Sequence, residues 1–588
     1  MDILFLGVVI FLLVLAVFDL AVGVGNDAVN FMNSAIGTKA APYKRILTVA
    51  AIGIFIGAAM SNGMMDVARH GIFNPEYFSF YDVICIFMAV MVANVILLDI
   101  FNTLGLPTST TVSLVFNLLG AAFIIAIIKM AAGSDAGLGD MLNTTKATQV
   151  SSAIFVSVAI AFVFGLATMA ITRSIFTFAF NKASRIKTAT FAGLCATAIL
   201  YFLVIKGMKG MSFMTAETTA WIDANTVWLV AGAFVVATAL MFALVTIKVN
   251  VLKVVVMMGT FALAMAFAGN DLVNFIGVPL TGLASYNDYI AAGSGQPEAF
   301  MMDSLSAPAA TPILFLILAG IIMVVALAKS AKARNVSETE ISLGSTNDAD
   351  TKFKTTPLGR GIVNISLKAV NVAVRHMPAK TRKWLAKRFD TTQSQTEQGA
   401  SFDLVRGSVN LVLAGVLIAL GTSLKLPLST TFVTFMVAMG TSLADCAWSR
   451  ESAAGRVTGI LKVITGWVIT AVAAFLSAGI LVAAMYFGGL WVMMAMAVGT
   501  IWLIRHSTKR FKEKEAGIVR TPVTIKGRMA RGIASISTAA DALMPKIVFS
   551  TPDKPEPTPT TGDRSPSSAL SNGHIFWGGQ SYSPASFK

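Results

Sequence analysis

Two short stretches of this chain place a carboxylate where an apolar run has just ended. Gly25-Asn26-Asp27-Ala28-Val29-Asn30-Phe31 follows an apolar block that begins at Ile3, and Gly269-Asn270-Asp271-Leu272-Val273-Asn274-Phe275 follows one that begins at Val251. Taking a carboxylate out of water costs several kcal/mol unless a partner offsets it. Asn and Asp side-chain oxygens are hard ligands suited to Na+ or to a proton relay, and a preceding glycine lets a helix break so that freed backbone carbonyls join them. Asp27, Asp271, Asn30 and Asn274 are therefore the expected cation-binding groups. Asn26 and Asn270 are expected to share the cation and to orient a substrate.

Two further stretches carry the opposite chemistry. Pro107-Thr108-Ser109-Thr110-Thr111 and Pro427-Leu428-Ser429-Thr430-Thr431 each set proline before a cluster of hydroxyls that opens an apolar run. That is the pattern of a helix N-terminus, with Ser or Thr as the cap and free backbone N–H groups behind it. At membrane depth such an end is an anion site. One isolated copy reads best as an ordinary capped helix at the water interface; two copies, each paired with Asn-Asp, favour a site. Ser109, Thr110, Thr111, Ser429, Thr430 and Thr431 are the expected anion ligands. Two carboxylates alone repel an anion, so binding requires a cation between them and the substrate, or their protonation. Anion movement is then tied to cation movement.

Other polar residues in apolar blocks have no second copy. Asp19, Asp66, Asp99, Asn94, Asn117 and Asp445 read equally well as pathway groups or as hydrogen bonds between helices. The four histidines are scattered in or beside polar connections, and no metal site or catalytic histidine is inferred. Cys85, Cys195 and Cys446 are far apart inside apolar blocks, so they read as packing residues.

The elements that must hold these groups are helices in a bilayer. Of 588 residues 55% are hydrophobic and 13% charged, and the apolar residues come in long blocks, the composition of a polytopic membrane protein. Blocks near 3–24, 46–65, 82–101, 112–132, 149–172, 189–207, 226–247, 251–268, 311–328, 405–423, 432–447, 457–485 and 488–504 predict about a dozen spans. The first begins Met1-Asp2-Ile3 without a basic flank, which differs from a signal peptide, and it is expected to stay in the mature chain. The net charge of +15 concentrates at block ends and in two polar stretches, so it reports topology rather than nucleic-acid binding. Basic clusters at 39–45, 173–187, 248–253, 329–388 and from Arg505 onward fall in the cytoplasm by the positive-inside rule. The connections 66–80, 133–148, 208–225 and 269–310 then lie outside, with the N-terminus outside and the C-terminus inside.

Each half of the chain carries one Asn-Asp element followed by one Ser-Thr-Thr element, which makes it an internal duplication. From Asn26 to Ser109 is 83 residues and from Asn270 to Ser429 is 159; the polar stretch 329–400 accounts for nearly all of the difference. Asn26-Asp27 follows a span running inward and Asn270-Asp271 one running outward, so the halves are expected to be inverted in the membrane. The expected organisation is a first repeat at 1–187, connecting helices at 188–250, and a second repeat at 251–328 and 401–505. The insert 329–400 and the tail 506–588 are expected to be cytoplasmic and basic, the tail disordered. Residues 362–377 of the insert read as an amphipathic helix, on the membrane surface or solvated.

The four elements together resemble the signature of the inorganic phosphate transporter family, which includes bacterial low-affinity phosphate permeases and their eukaryotic sodium-phosphate relatives. The resemblance spans about 1–330 and 400–505. It implies an all-helical carrier of about 12 transmembrane helices in two inverted-topology repeats with re-entrant helical hairpins, a homodimer in the cell membrane that imports phosphate with Na+ or H+. The chain departs from the family pattern at Val112 and Phe432, where His is usual, at Asn33, where Gly is usual, and in lacking Ala between Gly and Asn. Sulfate or another tetrahedral oxyanion is the alternative cargo, and an anion channel the alternative mechanism. No nucleotide-binding, nucleophile–base or metal-ligand pattern supports a membrane enzyme or sensor, and no cofactor is expected beyond Na+ as the coupling ion.

Overall fold

The computed structural model describes residues 2–61, 69, 71–104, 108–180, 183–202, 215–293, 295–307, 311–329, 337, 340–345, 355–390, 399–424, 426, 428–445 and 450–515. Pro107, Pro427, Asp66, Cys446 and most of the tail lie outside them. Among the described residues the chain is helical, with only two isolated β-bridges, Phe73 to Leu142 and Ser79 to Met301. Among these residues, eight helices are long and apolar enough to cross a membrane.

In chain order the main helices are α1 (Asp2–Gly37), α2 (Tyr43–Ala59), α3 (Phe80–Leu104), α4 (Thr110–Ala131), α5 (Thr144–Ile175), α6 (Arg185–Leu200) and α7 (Ala216–Thr246). Then follow α8 (Val251–Ala291), α9 (Ile313–Lys329), α10 (Pro357–His376), α11 (Ala379–Arg388), α12 (Leu404–Ser423), α13 (Thr430–Ala444) and α14 (Arg450–Glu515). α14 bends at Gly489, whose φ of 65° only glycine adopts freely.

Four expectations about element ends are corrected. The Asn-Asp sequences do not break their helices: α1 and α8 run through them for 36 and 41 residues. Their polar side chains find partners on other helices, so the backbone ladder need not open. Consequently 269–310 is not all connection, because its first 23 residues belong to α8. The tail is not wholly unstructured either, since α14 continues through Glu515 as a charged extension. In the insert, α10 begins five residues before the expected amphipathic stretch, at Pro357.

α1 and α8 form the centre and run in opposite directions. Phe5, near the start of α1, packs edge-on against Tyr289, near the end of α8, with ring centroids 6.2 Å apart. Where the helices cross, a Cβ on Gly23 would overlap the Phe275 ring, so only glycine permits this approach. The two ends of α1 mark two faces of the molecule. At one end Phe5 meets Phe80, at the start of α3. At the other the Gly37 carbonyl accepts from Ser401 N, just before α12. The hairpins α3–α4 and α12–α13 therefore enter from opposite faces. α13 has 15 residues, about 22 Å of helix, short of the roughly 30 Å hydrocarbon core, so Thr430 starts at membrane depth. The face at the α1 C-terminus, beside Lys39, Lys44 and Arg45, is called the basic face below.

Candidate anion and cation site

The first turns of α4 and α13 are set by their caps. Ser109 Oγ accepts from Val112 N at 3.1 Å, and Ser429 Oγ accepts from Phe432 N at 3.2 Å. Both serines are thereby used to start helices, and the threonines that follow point at the Asn-Asp elements. Phe432 is stacked on Trp467 with centroids 3.8 Å apart, which accounts for an aromatic packing residue at that position.

Each aspartate is bound by one threonine from each hairpin. Asp27 accepts from Thr431 Oγ1 at 3.0 Å and Thr110 Oγ1 at 3.3 Å. Asp271 accepts from Thr111 Oγ1 at 3.2 Å and from the Thr430 hydroxyl. The asparagines three positions on each bind one hairpin, that of the other half. Asn30 Nδ2 donates to Thr430 and Thr431 at 3.3 and 3.1 Å, and Asn274 Nδ2 donates to Thr110 and Thr111 at 3.3 and 3.0 Å. Asn274 Nδ2 also reaches Asp271 Oδ1 at 3.0 Å.

Asn26 and Asn270 bind the hairpins' tips instead. Asn26 Nδ2 donates to Asn102 Oδ1 at 2.6 Å and its Oδ1 accepts from Thr108 N at 3.2 Å. Asn270 Nδ2 donates to Leu428 O at 2.9 Å and to its neighbour Asp271 at 2.8 Å, and its Oδ1 accepts from Thr422 at 3.1 Å. All twelve predicted residues are at most 4% exposed. The structure brings every one of them into one cluster.

In this arrangement four threonine hydroxyls spend their protons on two buried carboxylates. Hydrogen bonds to a charged group contribute about 1.5–3 kcal/mol each, so the cluster is held firmly. For those hydroxyls to donate to an oxyanion, positive charge must take their place at Asp27 and Asp271. The sequence did not single out Asn102, Thr108, Thr422 or Thr434, whose Oγ1 donates to Asn30 Oδ1 at 3.2 Å. Thr434 lay within reach, one helical turn beyond Thr430 and Thr431; the others needed the hairpin geometry.

The polar residues without a second copy divide by location. Asp19 accepts twice from Asn94 Nδ2, at 3.0 and 2.8 Å, as a bridge between α1 and α3. Asp445 joins a buried ionic cluster at the basic face. Arg173 on α5 lies 2.8 Å from both Asp403 and Asp445, and Arg406 lies 3.8 Å from Asp445. The described cysteines, Cys85 and Cys195, are buried and free.

Comparison with known proteins matches this architecture. The family model described as "Phosphate transporter family" matches residues 23–332, which begin just before the first Asn-Asp element and include the second. The chain is 29% identical over 203 residues to the protein described as "Putative phosphate permease TK2061" from Thermococcus kodakarensis, covering 34% of this chain and 47% of that one. This chain thus spans about half the length of that curated relative. A solved structure described as "The sodium-dependent phosphate transporter" superposes with a TM-score of 0.56 at 16% identity, over 82% of this chain and 98% of its own, a likeness of fold. The chain is an all-helical, multi-pass integral membrane protein and belongs to the phosphate transporter family.

Proposed function

We propose that the chain is a secondary active transporter that imports inorganic phosphate together with Na+ or H+ by alternating access between two inverted halves. One observation carries the reading: each buried aspartate accepts from a threonine of both hairpins. Cation binding at Asp27 and Asp271, with Asn30 and Asn274 beside them, releases Thr110, Thr111, Thr430 and Thr431 toward phosphate. The helix N-termini capped by Ser109 and Ser429 add backbone donors and a positive dipole end. Asn26 and Asn270 orient the hairpin tips against the substrate. Because the anion is stable there only with its cations, the two move together. The sodium dependence of the phosphate transporter that shares this fold favours Na+ as the partner ion.

The opposed directions of α1 and α8, and the entry of the hairpins from opposite faces, support the inverted arrangement. In this reading the basic face is cytoplasmic, the N-terminus lies outside, and the carrier is a homodimer in the cell membrane. The test is uptake of radiolabelled phosphate into proteoliposomes under imposed Na+ or H+ gradients, with sulfate as competitor. Uptake that follows one gradient and resists sulfate is expected. Uptake indifferent to both gradients removes the symport reading, and equal displacement by sulfate removes the phosphate preference.

A further inference from the structure

A strip of polar residues leads from the four-threonine cluster to the basic face. One turn beyond Asn30 on α1 stand Asn33 and Ser34. Asn410 on α12 donates to Ser34 Oγ at 3.3 Å, and its Oδ1 accepts from Thr441 Oγ1 on α13 at 2.6 Å. Ser442 and Arg406 follow at the end. Polar side chains on three apolar helices, aligned between a buried site and one face, are what an anion path through a membrane protein requires.

A piece of the polar insert sits at the end of that strip. Glu340, Ser342, Leu343 and Ser345 are each at most 8% exposed, although they belong to a charged segment between membrane helices. Two arginines hold the backbone of this piece. Arg406 Nη2 donates to Gly344 O at 2.7 Å, and Arg456 Nη1 donates to Leu343 O at 3.3 Å and to Ser345 O. Between the piece and the strip is a cavity of about 10 Å³, lined by Asn33, Glu340, Arg406 and Asn410 among others. That is close to the size of a single water. Among the described residues, neither amide atom of Asn33 nor Glu340 Oε2 has a hydrogen-bond partner, and all three are buried. Asn33 is also the position where this chain departs from the glycine of the family pattern.

We propose that residues 340–345 are a gate on the basic face, which closes the path when seated on Arg406 and Arg456 and must withdraw for the anion to pass. The seated carbonyls of residues 343–345 occupy guanidinium donors that would otherwise receive an oxyanion. Withdrawal therefore opens the path and at the same time releases guanidinium donors of Arg406 and Arg456 at its mouth. The seat is polar and imperfectly filled, as a reversible contact requires. The gate rests on the carrier reading above.

The experiment uses the full chain with Cys85, Cys195 and Cys446 replaced by Ala. A Cβ on Gly344 would lie 3.7 Å from Met439 Cε, so Gly344→Cys with Met439→Cys is a pair that a short, reducible bis-methanethiosulfonate linker can tether. In proteoliposomes, tethering is expected to reduce phosphate uptake at least about tenfold, with recovery on reduction, while each single cysteine is unaffected by the reagent. Separately, Leu343→Cys is expected to react slowly with a membrane-impermeant maleimide added at the basic face, and faster when phosphate and Na+ are both present. Uptake that persists through the tether, or labelling indifferent to phosphate and Na+, overturns the gate. If the untethered chain takes up no phosphate, the carrier reading fails; labelling of Leu343→Cys at the rate of an exposed cysteine still overturns the gate by itself.

Discussion

Asp27 and Asp271 each hold one hydroxyl from either hairpin, so each is expected to be indispensable alone. Asp27→Asn or Asp271→Asn keeps the volume but removes the charge that draws the cation. Losing one charge-assisted contact of about 1.5–3 kcal/mol corresponds to about 10- to 150-fold, and phosphate uptake is expected to fall by that much with a shallower Na+ dependence. Flux left intact in either variant points to a channel. Glu340 gives a second prediction. Burial raises its carboxyl from 4.5 to about 8. Of the charged groups packed around it, Arg406 on α12 shares its cavity but is turned to Gly344 O, Arg456 on α14 holds carbonyls of residues 343–345, and Arg173, Asp403 and Asp445 pair with one another. The seated state holds the proton more tightly, so seating is fully favoured below pH 4.5 and weakens as pH rises through about 8. Labelling of Leu343→Cys, normalised to an exposed cysteine, is expected to rise across that window, and Glu340→Gln is expected to flatten it. The twelve residues that gather around Asp27 and Asp271 stood out in the sequence because each motif occurs twice. Glu340 was not, since a single glutamate in a charged insert looks like any solvated residue until its surroundings are known.

The helices were legible as apolar blocks, but their ends were not always. Asn26-Asp27 and Asn270-Asp271 looked like boundaries because polar residues usually stop an apolar run; here partners from both hairpins satisfy them and the helices continue. The hairpins themselves depend on close backbone contact, which hydropathy does not record. Gly440 on α13 and Gly165 on α5 face each other's helices, such that a Cβ on Gly440 would overlap the Phe162 carbonyl oxygen and one on Gly165 would lie 2.7 Å from Val437 O. Small residues at such crossings let membrane helices pack by van der Waals contact. Gly440→Ala is expected to cost about 1–3 kcal/mol through overpacking and to lower the thermal midpoint of the detergent-purified protein. Gly415→Ala is the control, because nothing lies within 4 Å of a Cβ there. Equal midpoints for the two variants would show that the α5–α13 crossing yields without cost.

At the scale of the whole molecule the two hairpins are closed at their bases by unequal means. Among the described residues the base of α3–α4 carries one ion pair, Lys129 to Asp82 at 2.8 Å, with the lysine 22% and the aspartate 4% exposed. The base of α12–α13 is clasped by fully buried Arg173, which joins Asp403 before α12 to Asp445 after α13 and fastens both to α5. A partly solvated pair contributes about 0–1 kcal/mol; breaking a buried cluster by removing one partner costs about 3–5 kcal/mol, because it leaves charges uncompensated. Lys129→Gln is therefore expected to leave the thermal midpoint nearly unchanged, whereas Arg173→Gln lowers it strongly. Since Arg173→Gln strands two carboxylates, adding Asp445→Asn is expected to restore part of the loss, a positive coupling in the double-mutant cycle. Additive effects would mean that the cluster is not a unit. The inequality also bears on which side opens more easily. The hairpin on the less basic face is held at its base by one pair whose lysine is partly exposed, while the other is anchored by a buried cluster and its path carries the seated segment at 340–345. Opening toward the less basic face is thus the lower-cost motion, and cysteines placed along α4 below Thr111 should label from that face faster than those along α13 below Thr434 label from the basic face. Arg173→Gln should narrow that difference, and labelling rates that ignore it would disconnect the clasp from the transport motion.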